Sequence, residues 1–117
     1  MPFKIVITDF GASETELEQR ELRNSGLEFT LTKLSTRDED ELIRGVADAD
    51  ALLVGFAQIT RRVIESMTRC KVISRYGIGV DMVDLKAASE RGIIVANVPD
   101  YCFEEVSNHT LACLLAL

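Results

Sequence analysis

Ser74-Arg75-Tyr76-Gly77-Ile78-Gly79-Val80-Asp81 is the stretch of this 117-residue chain whose residue types best suit chemistry. Two glycines one residue apart let successive backbone N–H groups turn toward a common point, forming a concavity that suits a carboxylate. The plain alternative is a tight strand-to-helix turn that holds nothing, because a glycine pair alone is a weak motif. His109, the single histidine, has Glu105 one helical turn before it and Cys113 one turn after, so a proton-transferring Glu–His pair is geometrically open. A surface histidine is the simpler reading, since proton chemistry also needs a pocket and nothing in the sequence defines one there. Asp9-Phe10-Gly11-Ala12-Ser13 follows an apolar run and precedes a helix start, where an anion such as a flavin phosphate could sit. An ordinary capped turn is the competing reading, because a flavin site would carry more hydroxyls and glycines. Cys70, Cys102 and Cys113 form no CxxC pair, so neither a metal site nor a redox motif is expected.

These residues need elements to position them, and the chain alternates short apolar runs with longer amphipathic segments. Phe3–Thr8 reads as a first strand, followed by a helix opened by a Ser13/Glu16 capping box and closed by Gly26. Leu27–Thr32 alternates apolar and polar residues like an edge strand, whereas Ala51–Val54 is continuously apolar like a central one. A helix over Asp38–Ala47 lies between them. Thr60 caps a short helix to Met67, Lys71–Ser74 is a fourth strand, Val83–Arg91 a helix stopped by Gly92, and Ile93–Ala96 a fifth strand. Right-handed crossovers and the polar second strand at an edge give a doubly wound parallel sheet of order 2-1-3-4-5, the flavodoxin-like α/β class, with helices on both faces. The glycine pair then leaves the carboxyl end of the fourth strand, where open α/β sheets bind ligands.

Phe103–Leu117 reads as a last helix whose second half, Leu111-Ala112-Cys113-Leu114-Leu115-Ala116-Leu117, is apolar on every side and lacks the usual stop signals. Such a helix must be covered. The expectation is that it folds back onto a vacant sheet face or pairs with a second copy in a homodimer.

A formal net charge of −6, with no basic cluster, argues against a nucleic-acid backbone or an anionic membrane as partner. The mixed run Arg37-Asp38-Glu39-Asp40-Glu41 suits the positive end of a helix dipole. With no signal-peptide pattern and no run of about 20 apolar residues, a cytoplasmic location is expected. A phosphoacceptor receiver domain shares this strand order but needs an aspartate ending the third strand and a lysine ending the fifth. Val54-Gly55 and Asn97-Val98-Pro99 stand there instead.

Val72-Ile73-Ser74-Arg75-Tyr76-Gly77-Ile78-Gly79-Val80-Asp81-Met82-Val83-Asp84-Leu85, then Ala87-Ala88, Arg91-Gly92-Ile93, Val95-Ala96-Asn97-Val98-Pro99 and Glu104-Glu105-Val106-Ser107-Asn108-His109-Thr110-Leu111, resembles the D-isomer-specific 2-hydroxyacid dehydrogenase family. Phosphoglycerate dehydrogenases and glyoxylate reductases belong to it. The resemblance implies that a small 2-hydroxy or 2-keto acid is held weakly by the Ile78 and Gly79 amides, with Tyr76 and Gly77 shaping that wall. Phe56 and Ala57, within Gly55-Phe56-Ala57-Gln58, form the opposing wall. It further implies residues 1–100 as a substrate-binding domain and 101–117 as a helix leading to an NAD-binding domain.

The family transfers hydride between substrate and NAD, using a GxGxxG turn, an arginine, and a histidine paired with an acid. None of these maps onto this chain. The expectation is therefore no catalytic residue, no cofactor-binding residue and no metal site here, with NAD belonging to a full-length parent and the isolated chain inactive. Asn108 stands where the family usually has an acid, and the loop after the third strand has no cation before Arg61 to hold a phosphate or second acid. Arg75 reads as a surface charge. The alternative to a dehydrogenase substrate domain is a free-standing module that only folds and self-associates.

Overall fold

A computed structural model of the chain describes residues 1–9 and 15–117. Five strands, β1 (Phe3–Ile7), β2 (Phe29–Lys33), β3 (Ala51–Val54), β4 (Val72–Arg75) and β5 (Ile94–Ala96), alternate with four helices, α1 (Glu16–Asn24), α2 (Glu39–Val46), α3 (Arg61–Ser66) and α4 (Leu85–Glu90). A longer helix, α5 (Phe103–Leu115), follows β5. Every pairing between these strands is parallel, and their order is β2-β1-β3-β4-β5, as the alternation of runs predicts.

The step from β1 to β2 runs opposite to the later steps along the sheet. With right-handed crossovers, α1 then falls on one face and α2, α3 and α4 on the other. The two faces are filled unequally. Val6, Leu52, Ile73 and Val95 are cross-strand partners in one line across the sheet. They pack with Leu42 and Val46 of α2, Val63 and Ile64 of α3, and Ala87 and Ala88 of α4 as a single core. On the reverse face α1 buries none of its residues. There an apolar groove of about 450 Å³ stays open beside Phe3, Ile5, Leu22, Phe29, Leu53 and Val72. Folding thus rests mainly on one layer of helices.

Helix starts follow local chemistry. Asp38 accepts from the Glu41 amide at 2.9 Å, and Asp84 from the Ala87 amide at 2.8 Å, each satisfying a helix-end donor. Asp84→Ala is expected to lower stability by about 1 kcal/mol. A urea midpoint equal to that of the wild type would show the cap to be idle. α4 starts at Leu85 rather than Val83 because Val83 is drawn into a parallel bridge with Ile59. Ser13 of the expected capping box lies outside the described residues. The described helix begins after Thr15, which accepts from Gln19 Nε2 at 2.9 Å but makes no cap bond to the backbone.

The fold-back of the last helix does not occur. Cys102 takes a left-handed conformation (φ 57°) at its start, and every residue from Phe103 to Leu117 is exposed. The molecule is accordingly drawn out to 55 Å along its long axis.

Candidate functional site

The carboxyl ends of β1, β3 and β4 converge at one edge of the sheet, because parallel strands all point the same way. Ile7 pairs with Leu53 and Val54 with Arg75, so Asp9, Gly55-Phe56 and Tyr76-Gly77 leave the sheet at neighbouring levels. Polar chemistry collects there.

Asp9 braces the first wall. Its side chain is 3% exposed and accepts from the Gly55 amide at 3.1 Å, the Phe56 amide at 2.9 Å and the Thr8 hydroxyl at 2.8 Å. Arg37 Nε adds a charged donor at 2.9 Å. Burial by itself would raise the Asp9 pKa. Donation from the Phe56 amide, the Thr8 hydroxyl, the Ala57 amide and Arg37 outweighs burial and holds it below its ordinary value of 3.8. Asp9 is therefore ionised at neutral pH and already serves the amides of its neighbours. A carboxylate in this place opposes the flavin-phosphate reading of the Asp9–Ser13 loop, whose remaining residues lie outside the described ones.

The second wall is the glycine loop. Gly77 has φ 135°, a conformation open to glycine and strained for other residues, and its amide donates to the Arg75 carbonyl at 3.0 Å. Val98 N donates to the Gly77 carbonyl at 2.9 Å, and Asn97 Nδ2 to the Ile78 carbonyl at 2.8 Å. The loop's carbonyls are thereby drawn toward the segment after β5. Among the described residues, neither the Ile78 nor the Gly79 amide donates to a protein acceptor. Both residues are exposed. Ile59 N donates to Met82 O at 2.7 Å and Asp84 N to Ile59 O at 3.0 Å, which ties the two walls together at their base.

The named wall residues do not all face the same way. Phe56 is half-exposed, whereas Ala57 is fully buried in the core and supports the loop from beneath. Tyr76 sends its hydroxyl to Glu18 Oε1 on α1 at 2.8 Å. Burial, followed by the Glu18 carboxylate, pushes the phenol well above its ordinary pKa, so it stays protonated.

Arg75 is no surface charge. It is half-buried, its guanidinium carbon lies 5.3 Å from the Phe56 ring centroid, and a Cβ on Gly77 would fall 1.9 Å from its Nη1. It therefore lies between the two walls. Arg37 reaches the same ring from the loop before α2, at 5.2 Å. The sequence directs a search for cations to the loop after β3, yet the two that reach Phe56 come from other elements.

His109 lies on exposed α5 with Nε2 3.7 Å from Cys113 Sγ. No Glu105–His109 hydrogen bond is formed among the described residues, so the surface reading of this histidine is the one that fits. A dinucleotide does not fit the glycine loop: the turn lacks a third glycine, and Asp84 already fills the first turn of α4 with a carboxylate where a pyrophosphate would need open amides. Among the described residues no helix is long and apolar enough to cross a membrane, and no group of three His, Cys, Asp or Glu could hold a metal ion.

The family model for D-isomer specific 2-hydroxyacid dehydrogenase, catalytic domain, matches residues 5–113. The chain belongs to this family. It is 44% identical over 79 residues to D-3-phosphoglycerate dehydrogenase of Methanocaldococcus jannaschii, covering 67% of this chain and 15% of that protein. Among solved structures, the TT0316 protein of Thermus thermophilus shares 33% identity at a TM-score of 0.79, covering 97% of this chain and 36% of that one. NAD-dependent formate dehydrogenase of Staphylococcus aureus, in complex with NAD, shares 29% at 0.80, covering 98% and 38%. The chain thus spans between about a seventh and two fifths of the length of these relatives.

Proposed function

We propose that this chain is the substrate-binding part of an NAD-dependent D-2-hydroxyacid dehydrogenase, with residues 1–100 as the substrate domain and 101–117 leading toward a cofactor-bearing domain. The observation that carries this reading is the pair of unengaged amides at Ile78 and Gly79, on a loop whose carbonyls are drawn aside by Asn97 and Val98. A 2-hydroxy or 2-keto acid would place its carboxylate on these two N–H groups, with Gly77 shaping the turn beneath it and the Phe56 loop opposite.

Hydride transfer needs a dinucleotide cradle and a proton-transferring pair. This chain carries neither motif, so by itself it binds acid weakly and does not turn it over. The apolar residues left exposed along α5, among them Val106, Leu111, Leu114 and Leu115, support its use as a joining surface, toward the rest of the enzyme or a second copy.

Titration of the ¹⁵N-labelled chain with glyoxylate is expected to shift the amides of Tyr76–Val80, those of Ile78 and Gly79 most, and to leave α5 unmoved. Shifts spread evenly over the surface, or none up to millimolar acid, would defeat the assignment. A module that only self-associates would instead show concentration-dependent broadening of α5 resonances and no response to acid.

A further inference from the structure

His109 and Cys113 take no part in the acid site, and each is a ligand type for soft divalent metals. Four positions apart on α5, they stand on one face of that helix. His109 Nε2 lies 3.7 Å from Cys113 Sγ, and both residues are exposed. That separation matches the bite of a tetrahedral zinc centre, in which a Zn–N bond of about 2.05 Å and a Zn–S bond of about 2.3 Å set the two donor atoms about 3.6 Å apart. The pair can therefore chelate without changing its place on the helix. Cys70 is buried and Cys102 partly covered, which leaves Cys113 as the open thiol. A thiol–imidazole hydrogen bond has the same geometry in the metal-free chain, and a metal titration separates the two readings.

One chain falls short of a closed site. Among the described residues no group of three His, Cys, Asp or Glu comes together to hold a metal, whereas structural zinc takes four ligands. Ala112 and Ala116, three and seven positions beyond His109, share the face of the pair. Their small side chains leave room for a second helix beside the two ligands. α5 carries Glu104 and Glu105 and no Lys or Arg, so a cation approaching the pair meets no like charge on its own helix.

We propose that two copies of this chain share one zinc-class divalent cation on a two-fold axis, each giving His109 Nε2 and Cys113 Sγ to a tetrahedral centre of two histidines and two cysteines. The centre clamps one α5 against the other and is incomplete without the second copy. Each thiol releases its proton to solvent as its sulfur takes the metal, and each imidazole binds as the neutral ring with its proton on Nδ1. No electron moves, so neither an oxidant nor a reductant is required. The site stands apart from the Ile78 and Gly79 amides and does not depend on the acid they would bind.

Sedimentation equilibrium of the 117-residue chain, first with EDTA and then with half an equivalent of zinc, tests the shared centre. A phosphine reductant is present throughout, so that Cys113 cannot join the copies by a disulfide. Zinc is expected to lower the dimer dissociation constant by about a hundredfold or more. Cobalt(II), a coloured stand-in for zinc, should give tetrahedral d–d bands and a thiolate-to-metal band that saturate at one cobalt per two chains. His109→Gln and Cys113→Ser should each abolish both the bands and the zinc-driven dimer, whereas Cys102→Ser should keep them. Retention of the wild-type amide dispersion in each variant shows that a lost metal response is not a lost fold. A dissociation constant that zinc leaves unchanged, saturation at one cobalt per chain in a monomer, or bands that survive in His109→Gln and Cys113→Ser would overturn the proposal.

Discussion

Replacing Asp9 with alanine is expected to be among the most damaging single changes near the site, lowering stability by about 2–4 kcal/mol at neutral pH. The side chain is buried and ionised, and it satisfies the Gly55 and Phe56 amides together. Alanine leaves those donors without an acceptor and releases Arg37 from its ion pair. The effect should depend on pH with a definite sign. Because the folded Asp9 carboxyl titrates below its ordinary value, the unfolded chain binds the proton more readily, and stability from this group rises with pH. The contribution is complete above the unfolded value of about 3.9. It is lost as pH falls through the lower, folded value. Urea unfolding at neutral pH and at a series of points below the unfolded carboxyl value should therefore show a wide gap between wild type and Asp9→Ala that narrows toward the acid end. A gap constant across that series, or a variant as stable as wild type at neutral pH, would mean that the carboxylate is not what holds the Gly55–Phe56 turn.

The second large effect falls on the glycine loop, where two glycines close in sequence are expected to behave differently. Gly77→Ala forces a side chain into a backbone conformation (φ 135°) that L residues rarely adopt and sets its Cβ against Arg75 Nη1. Backbone strain of this kind costs roughly 1–3 kcal/mol, and relief requires the arginine to leave the space between the walls. Gly79→Ala meets only Asp81 Oδ2 at 3.8 Å, an ordinary contact, and has no such backbone demand. It should change stability by no more than about 0.5 kcal/mol. Gly77→Ala should also displace the Phe56 and Arg75 resonances and weaken glyoxylate binding, whereas Gly79→Ala should leave the Phe56 resonances in place. Matching urea midpoints for the two variants would refute the claim that Gly77 is needed for its conformation.

The first prediction turns on contacts between segments distant in the chain, and such contacts are the least legible in sequence. The strand and helix spans are legible because periodicity and cap residues act within a few positions: Asp38, Thr60 and Asp84 each accept from an amide three residues on. β4 ends one residue later than its apolar run suggests, because the Tyr76 amide continues the ladder to Val54 O after the apolar run has stopped. The apolar composition of α5 predicts either a fold-back or pairing with a second copy, and the structure does not make the fold-back. That composition says only that the helix needs cover, and nothing about which surface provides it.

Arg75 illustrates the same limit inside the site. One arginine at the end of a strand has no local signature that separates a solvated charge from one stacked on an aromatic ring. The ring in question, Phe56, comes from the loop after another strand, and Arg37 from the loop before α2. A signal for Asp9 does exist. With the order 2-1-3-4-5 accepted, the first residues after β1 and β3 must lie side by side, so an acid after one strand faces the exposed amides after the other.

By itself the sequence determined the parallel α/β class, the strand order and the family, because each depends on patterns repeated every two to four residues or on a short contiguous motif. The tertiary structure alone decided that Asp9 binds the Phe56 turn, that Tyr76 turns toward α1, that two arginines share one ring, and that α5 stands uncovered. Those outcomes depend on strand register and crossover hand, which bring together side chains separated by tens of residues and leave no trace in the local spacing of either partner.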